Sequence, residues 1–182
     1  MRLERLIGEI NDEMYQKIVE NRSVKDTDAR GTAQIVGLSA IKYGDLSNQA
    51  SKDYVFDVER FTSFEGNTGP YILYTIVRTK SILGKYKEEG NELKKGALLA
   101  PKSDSEKALM LSVSRFEEKA PHKICAYIYE LANEFNHFYH ETKILSEQDE
   151  ARKASYLALL DLVREVLETC IDLLGFSAPE RM

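Results

Sequence analysis

Tyr74 and Arg78 are the two side chains of this chain best suited to binding a flat, polar ligand. They stand four residues apart in a segment with helical character, so both project from one face of a helix. A phenol ring stacks on a nucleic-acid base, and a neighbouring guanidinium hydrogen-bonds the edge of that base. The same spacing also fits a partly buried core tyrosine beside a surface arginine. The pair alone does not decide between these interpretations.

Tyr139 is a second candidate for stacking, near the end of a predicted helix that begins at Pro121. A tyrosine at a helix end usually packs its ring on the core and leaves its hydroxyl in water. Its position beside the apolar stripe of that helix is compatible with this structural role and with an exposed stacking surface.

Metal and thiol chemistry have little support in this sequence. Glu134 and His137 form one Glu-x-x-His pair, whereas a di-metal site in a helical bundle needs the motif twice with further carboxylates. We therefore interpret both as solvated polar residues and predict no metal site. His122 follows a proline in a first helical turn and is interpreted as structural. Cys125 and Cys170 lack metal-ligand spacing and are predicted to be buried free thiols.

Catalytic motifs are missing from the sequence as well. It contains no Gly-x-Ser-x-Gly, no Gly-rich phosphate loop and no plausible Cys-His pair. The sequence therefore gives no support to nucleophilic catalysis, and we predict no catalytic residue and no cofactor.

The 182 residues suffice for one well-buried domain, and their net charge of -5 argues mildly against a generic nucleic-acid binder. A local basic segment departs from that balance, with these residues: Arg78, Lys80, Lys85, Lys87, Lys94 and Lys95. No apolar stretch is long enough to span a bilayer, and the amino terminus lacks a signal-peptide core. We expect a cytoplasmic protein without a membrane partner.

Apolar spacing predicts helices in the first half of the chain. Residues from Leu3 to Ile18 repeat at three-four intervals, and Ala29 to Tyr43 continues in the same way after a polar, turn-like segment. Gly44 to Gly69 breaks the periodicity and is predicted to be irregular, with a possible short extended piece at residues 54–57.

Capping residues mark the later helices. Thr68 with Pro70 begins a helix that extends to about Tyr86, and a loop covers residues 93–101. A capping box at residues 103–106 begins a helix predicted to end at Glu118, and Pro121 begins the next. A last helix covers residues 148–174, with Gly175 as its cap. The expected fold class is an all-α helical bundle of five or six helices.

Three segments together resemble one known family. They are Gly66-Asn67-Thr68-Gly69-Pro70-Tyr71-Ile72-Leu73-Tyr74 with Arg78, the Pro121 helix through Phe135-Asn136-His137-Phe138-Tyr139, and the ending Leu173 to Met182. In this order and spacing they resemble the carboxy-terminal anticodon-binding (DALR) domain of bacterial arginyl-tRNA synthetase, a class I enzyme. The resemblance extends from about Leu6 to Met182 and implies the helical anticodon-binding fold of class Ia synthetases.

The resemblance also implies site residues. Tyr139 matches the tyrosine that helps to hold the second anticodon base, a cytosine. Tyr74 and Arg78 match other residues that contact the anticodon loop, and Met182 matches the terminal methionine of the same pocket. The nucleic-acid-binding residues expected from it are therefore Tyr74, Arg78, Tyr139 and Met182.

A complete enzyme of this kind would carry an H-x-G-H-type signature and a K-M-S-K-S-like loop, and this sequence has neither. We therefore expect a fragment with an artificial start at Met1, which does not aminoacylate alone; the parent enzyme uses ATP and Mg²⁺. Residues 1–26 would be a stem or linker helix from the end of the catalytic region, and residues 27–182 the anticodon-binding domain. The expected partners are tRNA-Arg and the catalytic domain of the parent enzyme, and the fragment is expected to be a monomer.

Two alternatives stay open. A related class I synthetase domain, such as that of the cysteinyl enzyme, fits the helical pattern but not the Pro-Glu-Arg-Met ending or the Gly-Asn-Thr-Gly-Pro-Tyr segment. A free-standing helical interaction or scaffold module without an RNA role fits the acidic pI of about 5.4. A compact positive patch around Tyr74, Arg78 and Tyr139 would favour RNA binding over the scaffold.

Overall fold

The structure is a computed structural model that describes residues 3–20, 29–115 and 120–182. Within these residues it is all-helical, which confirms the predicted fold class. The helices are α1 (Leu3–Glu20), α2 (Ala29–Leu46), α3 (Val58–Phe61), α4 (Gly69–Glu88), α5 (Asp104–Ser114), α6 (Pro121–Glu141) and α7 (Glu150–Leu173).

Helix α4 is the centre of the bundle, since it packs against α2, α6 and α7. Helix α1 lies on α2, and α5 lies on α6 and α7. The core contains apolar side chains from all the long helices, and its largest fully buried members are Tyr43, Phe135, Phe138, Ile10, Met14, Ile18, Ile72, Leu73, Ile76, Leu109, Ile128 and Leu131.

The start of α4 is fixed by its sequence. Thr68 is the N-cap, with its hydroxyl accepting from the Tyr71 N–H at 3.2 Å, and proline follows in the first turn, as predicted. Gly69 allows the backbones of α4 and α2 to meet, since a β-carbon there would lie 2.4 Å from the carbonyl oxygen of Ser39. Close contact at this point sets the position of α4 relative to α2.

The end of α7 is closed by a Schellman motif. Gly175 adopts a φ of 79° and donates to the Asp172 carbonyl at 2.9 Å, while the Phe176 N–H reaches the Ile171 carbonyl at 3.1 Å. Phe176 and Ile171 are both buried, so the motif turns the chain back onto the core. Gly175 is thus the residue that follows the C-cap, Leu174, rather than the C-cap itself.

Two further predicted details are wrong. The segment 44–69 is not wholly irregular: it contains α3, so the described chain has seven helices rather than five or six. Asp57 caps α3 by accepting from the Arg60 N–H, and Phe61 packs onto the backbone of Gly44. Helix α5 ends at Ser114 instead of Glu118, and residues 116–119 lie outside the described residues.

The apolar stripe of α1 is only partly covered. Ile10, Met14 and Ile18 are fully buried against the bundle, whereas Leu3 and Ile7 are exposed. The predicted boundary between residues 26 and 27 lies outside the described residues, so the division into stem and domain stays a prediction.

Cys125 and Cys170 are buried free thiols, as predicted. Burial raises the pKa of each to about 12, which keeps both thiols protonated. None of the described helices has the length and apolarity needed to cross a membrane.

Candidate nucleic-acid interface

The structure brings Tyr74, Arg78 and Tyr139 together at the junction of α4 and α6. Tyr74 and Arg78 lie one turn apart on α4, and Arg78 Nη2 donates to the Tyr74 hydroxyl at 3.0 Å. The Arg78 guanidinium carbon lies 4.6 Å from the centre of the Tyr74 ring and 5.0 Å from the centre of the Tyr139 ring. Both distances are within the range of cation–π attraction, so one arginine holds two rings in place.

The two tyrosines combine exposure with rigidity. Tyr74 is 40% exposed and Tyr139 is 37% exposed, so each presents part of its ring to solvent. Tyr139 also stacks on the fully buried Phe135 ring, with centroids 6.1 Å apart and planes 23° from parallel. A ring supported from beneath loses little conformational entropy when a ligand stacks on it.

A polar network beneath these side chains joins the two helices. Asn136 Oδ1 accepts from Arg78 Nη1, and Asn136 Nδ2 donates to the Tyr71 hydroxyl at 3.0 Å and to Thr75 Oγ1 at 3.3 Å. The Tyr71 hydroxyl in turn donates to Asn133 Oδ1 at 2.7 Å. Burial raises the pKa of Tyr71, against the opposing effects of the Asn136 hydrogen bond and the Arg78 charge, so its hydroxyl stays a donor at neutral pH.

The charge of Arg78 is not neutralised by any described residue. Within the described ranges, no carboxylate oxygen lies within 4.0 Å of its guanidinium. The basic segment predicted around it is less uniform, because Lys80 contacts both Glu168 and Glu180 and Lys95 contacts Glu165. Arg78 is therefore a local positive charge beside two exposed aromatic rings, suited to an anionic, aromatic ligand.

Met182 ends a carboxy-terminal tail that is docked onto the bundle. Phe176 and Pro179 are buried, Glu180 contacts Lys80 of α4 at 2.8 Å, and Met182 packs half-buried against the core. The tail is therefore held on the bundle by apolar burial and by an ion pair. The place of the Met182 side chain in the pocket of Tyr74, Arg78 and Tyr139 stays a prediction.

The other polar candidates lie away from any catalytic arrangement. His137 pairs with Glu141 at 3.2 Å, and both side chains are more than half exposed. Glu134 is half-buried, and no group of three His, Cys, Asp or Glu side chains in the part of the chain that the structure describes could hold a metal ion. His122 is half-buried in the first turn of α6.

Sequence reasoning missed Asn136 and Tyr71, which support the site from below. Two spacings could have indicated them. Asn136 precedes Tyr139 by three residues and Tyr71 precedes Tyr74 by three, so each shares a helical face with a predicted site residue. The pairing of Asn136 with Arg78, however, depends on how α4 packs on α6.

This arrangement is suited to binding. It offers ring faces for stacking, guanidinium N–H groups for base edges or phosphates, and one uncompensated positive charge. These groups suit the binding of an unpaired nucleic-acid base and its phosphate.

Comparison with known proteins shows the family of the chain. Residues 72–182, more than half of the chain, match the family model described as the DALR anticodon binding domain. The chain is 60% identical over 198 aligned positions to the arginine--tRNA ligase of Agathobacter rectalis, covering 100% of this chain and 33% of that protein. It is 52% identical over 190 positions to the corresponding ligase of Alkaliphilus oremlandii, covering 100% of this chain and 32% of the relative.

Solved structures give the same result. The arginyl-tRNA synthetase of Thermus thermophilus matches the whole chain with a TM-score of 0.87 and 27% identity, over 32% of its own length. The chain thus spans about a third of the length of the curated relatives that it matches. The helical bundle, the family match and the resemblance seen in the sequence all agree, and the chain belongs to the DALR anticodon binding domain family.

Proposed function

We propose that this chain is the anticodon-binding region of an arginine-tRNA ligase and binds tRNA-Arg at the junction of α4 and α6. The observation that carries the proposal is the placement of the Arg78 guanidinium between the exposed rings of Tyr74 and Tyr139. Tyr74, Arg78 and Tyr139 are three of the four residues that the family resemblance assigns to anticodon binding.

Stacking and charge act together in this proposal. An unpaired anticodon base stacks on a tyrosine ring, and Arg78 hydrogen-bonds its edge or a neighbouring phosphate. Arg78 keeps its charge for this purpose, since its partners Tyr74 and Asn136 are both neutral. The overall acidity of the chain is compatible with this role, because the interface needs only a local positive charge.

Arginylation itself would belong to a catalytic domain that acts with this chain and uses ATP and Mg²⁺. This chain supplies recognition, with no cofactor of its own, as a cytoplasmic monomer. In this proposal Met182 completes the anticodon pocket, and the docking of the tail through buried Phe176 and the Glu180–Lys80 contact supports that role.

The experiment that tests the proposal is a titration of the chain with two RNAs at a stated salt concentration. One is a tRNA-Arg transcript, and the other differs only at the second anticodon base. We expect measurable binding of the first and weaker binding of the second, by at least about tenfold if one base-specific hydrogen bond to a charged group is lost.

Equal binding of both transcripts would contradict anticodon reading and leave only general attraction to phosphates. No binding of either, by a folded monomeric chain at low salt, would favour the helical scaffold without an RNA role. Measurements at several salt concentrations separate phosphate contacts from base contacts. Binding through phosphates weakens as salt is added, whereas the discrimination between the two transcripts is retained.

A further inference from the structure

We infer that Asn136 is a positioning residue for anticodon recognition: it fixes the orientation of the Arg78 guanidinium and thereby sets base discrimination without contacting the RNA. The inference rests on the proposed function and assigns a role to a residue outside the set Tyr74, Arg78, Tyr139 and Met182. It follows from the hydrogen bonds of the α4–α6 junction.

The first step concerns the partners of the Asn136 amide on α4. The Thr75 hydroxyl donates its hydrogen to the Tyr71 carbonyl at 3.1 Å, so Thr75 Oγ1 can only accept from Asn136. The Tyr71 hydroxyl donates its hydrogen to Asn133 Oδ1, so it too can only accept. Both hydroxyl partners, Tyr71 and Thr75, therefore require the NH₂ group of Asn136.

The second step follows from the first. With Nδ2 committed to Tyr71 and Thr75, Oδ1 lies on the other side of the amide group, toward Arg78 in the next turn of α4, and it accepts from Arg78 Nη1. A flipped amide would place an NH₂ group against a guanidinium, donor facing donor, and would lose two hydrogen bonds to α4. The amide thus has one satisfactory orientation, which places an acceptor at a fixed point for Arg78.

The third step concerns Arg78. Asn136 holds Nη1 and the Tyr74 hydroxyl holds Nη2, so two contacts on different nitrogens define the plane of the guanidinium. Thr75, at the base of the network, is fully buried, which anchors the amide to the core. A fixed plane matters because hydrogen bonds from a guanidinium to a base edge are directional, whereas attraction to a phosphate is not.

The test compares the full chain with Asn136→Ala, Arg78→Ala and the double variant, each titrated with tRNA-Arg and with its second-base variant. We expect Asn136→Ala to weaken cognate binding by about tenfold and to reduce discrimination, with the salt slope unchanged. The expected change in melting temperature is small, since Tyr71 keeps its bond to Asn133 and Thr75 keeps its bond to the helix.

Binding by the double variant shows whether Asn136 acts through Arg78, which a purely structural role of Asn136 would not produce. If Asn136 acts through Arg78, Asn136→Ala adds nothing to the loss caused by Arg78→Ala. Additive losses would overturn the inference, because they would mean that Asn136 acts on the RNA independently. Undiminished discrimination in Asn136→Ala, alongside a loss in Arg78→Ala, would also overturn it while leaving the proposed function intact.

His137→Ala is the matched control. It is the next residue of α6, is exposed and contacts Glu141, and it takes no part in the hydrogen bonds that join Asn136 to Tyr71, Thr75 and Arg78. We expect a change of less than about twofold in binding and none in discrimination. If Asn136→Ala folds poorly, Asn136→Leu is used in its place, because leucine keeps the side-chain volume. Unfolding of both variants would show that Asn136 is a structural residue and would overturn the inference. Failure of Arg78→Ala to change RNA binding would instead contradict the proposed function itself.

Discussion

Two arginines of this molecule, Arg78 and Arg152, are held in opposite ways. Arg152 is buried where α7 meets α5 and the preceding loop, and its Nη1 bonds the Ala100 carbonyl at 2.7 Å and lies 3.4 Å from Glu106 Oε1. Its side chain is 9% exposed and that of Glu106 is 1% exposed. Arg78 is half-buried and is held by an amide, a hydroxyl and two aromatic rings.

The difference separates stability from recognition. A buried arginine paired with a carboxylate has its charge balanced within the fold, so it offers nothing to an anionic ligand. An arginine held by neutral partners is oriented without being neutralised, so its charge stays available. The identity of the partners, rather than the presence of an arginine, distinguishes the two roles.

The largest effect should come from Arg152→Met. Removing one partner of a buried pair leaves the Glu106 carboxylate uncompensated, and we expect a loss of about 3–5 kcal/mol in the free energy of unfolding. Urea unfolding followed by far-UV circular dichroism measures it. The folded fraction should bind tRNA-Arg normally, since the hydrogen bonds of Arg152 and Glu106 go to other residues than Tyr74, Arg78 and Tyr139.

Lys153→Met serves as the control for that variant. Lys153 is the next residue of α7 and pairs at 2.8 Å with Glu150, whose side chain is 76% exposed, so solvent screens the attraction. A loss of stability in Lys153→Met as large as that in Arg152→Met would refute the distinction between buried and screened charges.

Arg78→Ala should have the opposite pattern, with a large effect on RNA binding and a small effect on stability. We expect binding of tRNA-Arg to weaken by about 2–3 kcal/mol, with relaxed discrimination at the second anticodon base, because a charged donor to a base edge is removed. The free energy of unfolding should change little, since the partners of Arg78 are neutral and partly exposed. A loss equal for all anticodon variants that disappears at high salt would make Arg78 a phosphate contact only.

Tyr139→Ala should cost less, about 1–2 kcal/mol in tRNA-Arg binding, at the lower end of the range for base stacking. Part of its ring is already covered by Phe135 and Arg78, so less surface is left for a base. Tyr139→Phe keeps the ring and should bind nearly as well as the unchanged chain. A Tyr139→Ala chain that unfolds would mean that the ring serves the core instead.

Deletion of Arg181 and Met182 should have the smallest effect, a loss of about fivefold in tRNA-Arg binding from one lost apolar contact. The melting temperature should hardly change, because Phe176 and Pro179 still anchor the tail. Ser177→Ala, in the same tail and exposed, is the comparison variant. If the deletion variant and Ser177→Ala bind tRNA-Arg equally well, Met182 is not part of the pocket.

Local signals in the sequence predicted most of the fold. Thr68 and Pro70 define the start of α4, and Ser103 starts α5, because capping depends on neighbouring residues alone. Helix α3 was missed because four residues are too few for an apolar period. Its Phe61 is fixed by packing on Gly44, which no local pattern reports.

The candidate site was predictable to the extent that it lies on one helix. The spacing of Tyr74 and Arg78 placed them on one face, and the structure joins them by a hydrogen bond. Tyr139 comes from another helix and was linked to them only by resemblance to a family. Asn136, which connects the two helices, was not found because its partners are set by tertiary packing.

The two glycines of the segment Gly66 to Gly69 should show different histories of substitution. At position 69, even the β-carbon of alanine would meet the backbone of Ser39, so no exchange at residue 39 could relieve the clash during evolution. Gly66 has a φ of 78° with open space around it, a conformation that asparagine also adopts. Among homologous sequences we therefore expect asparagine to replace Gly66 in some lineages, while position 69 stays glycine wherever α2 and α4 cross this closely.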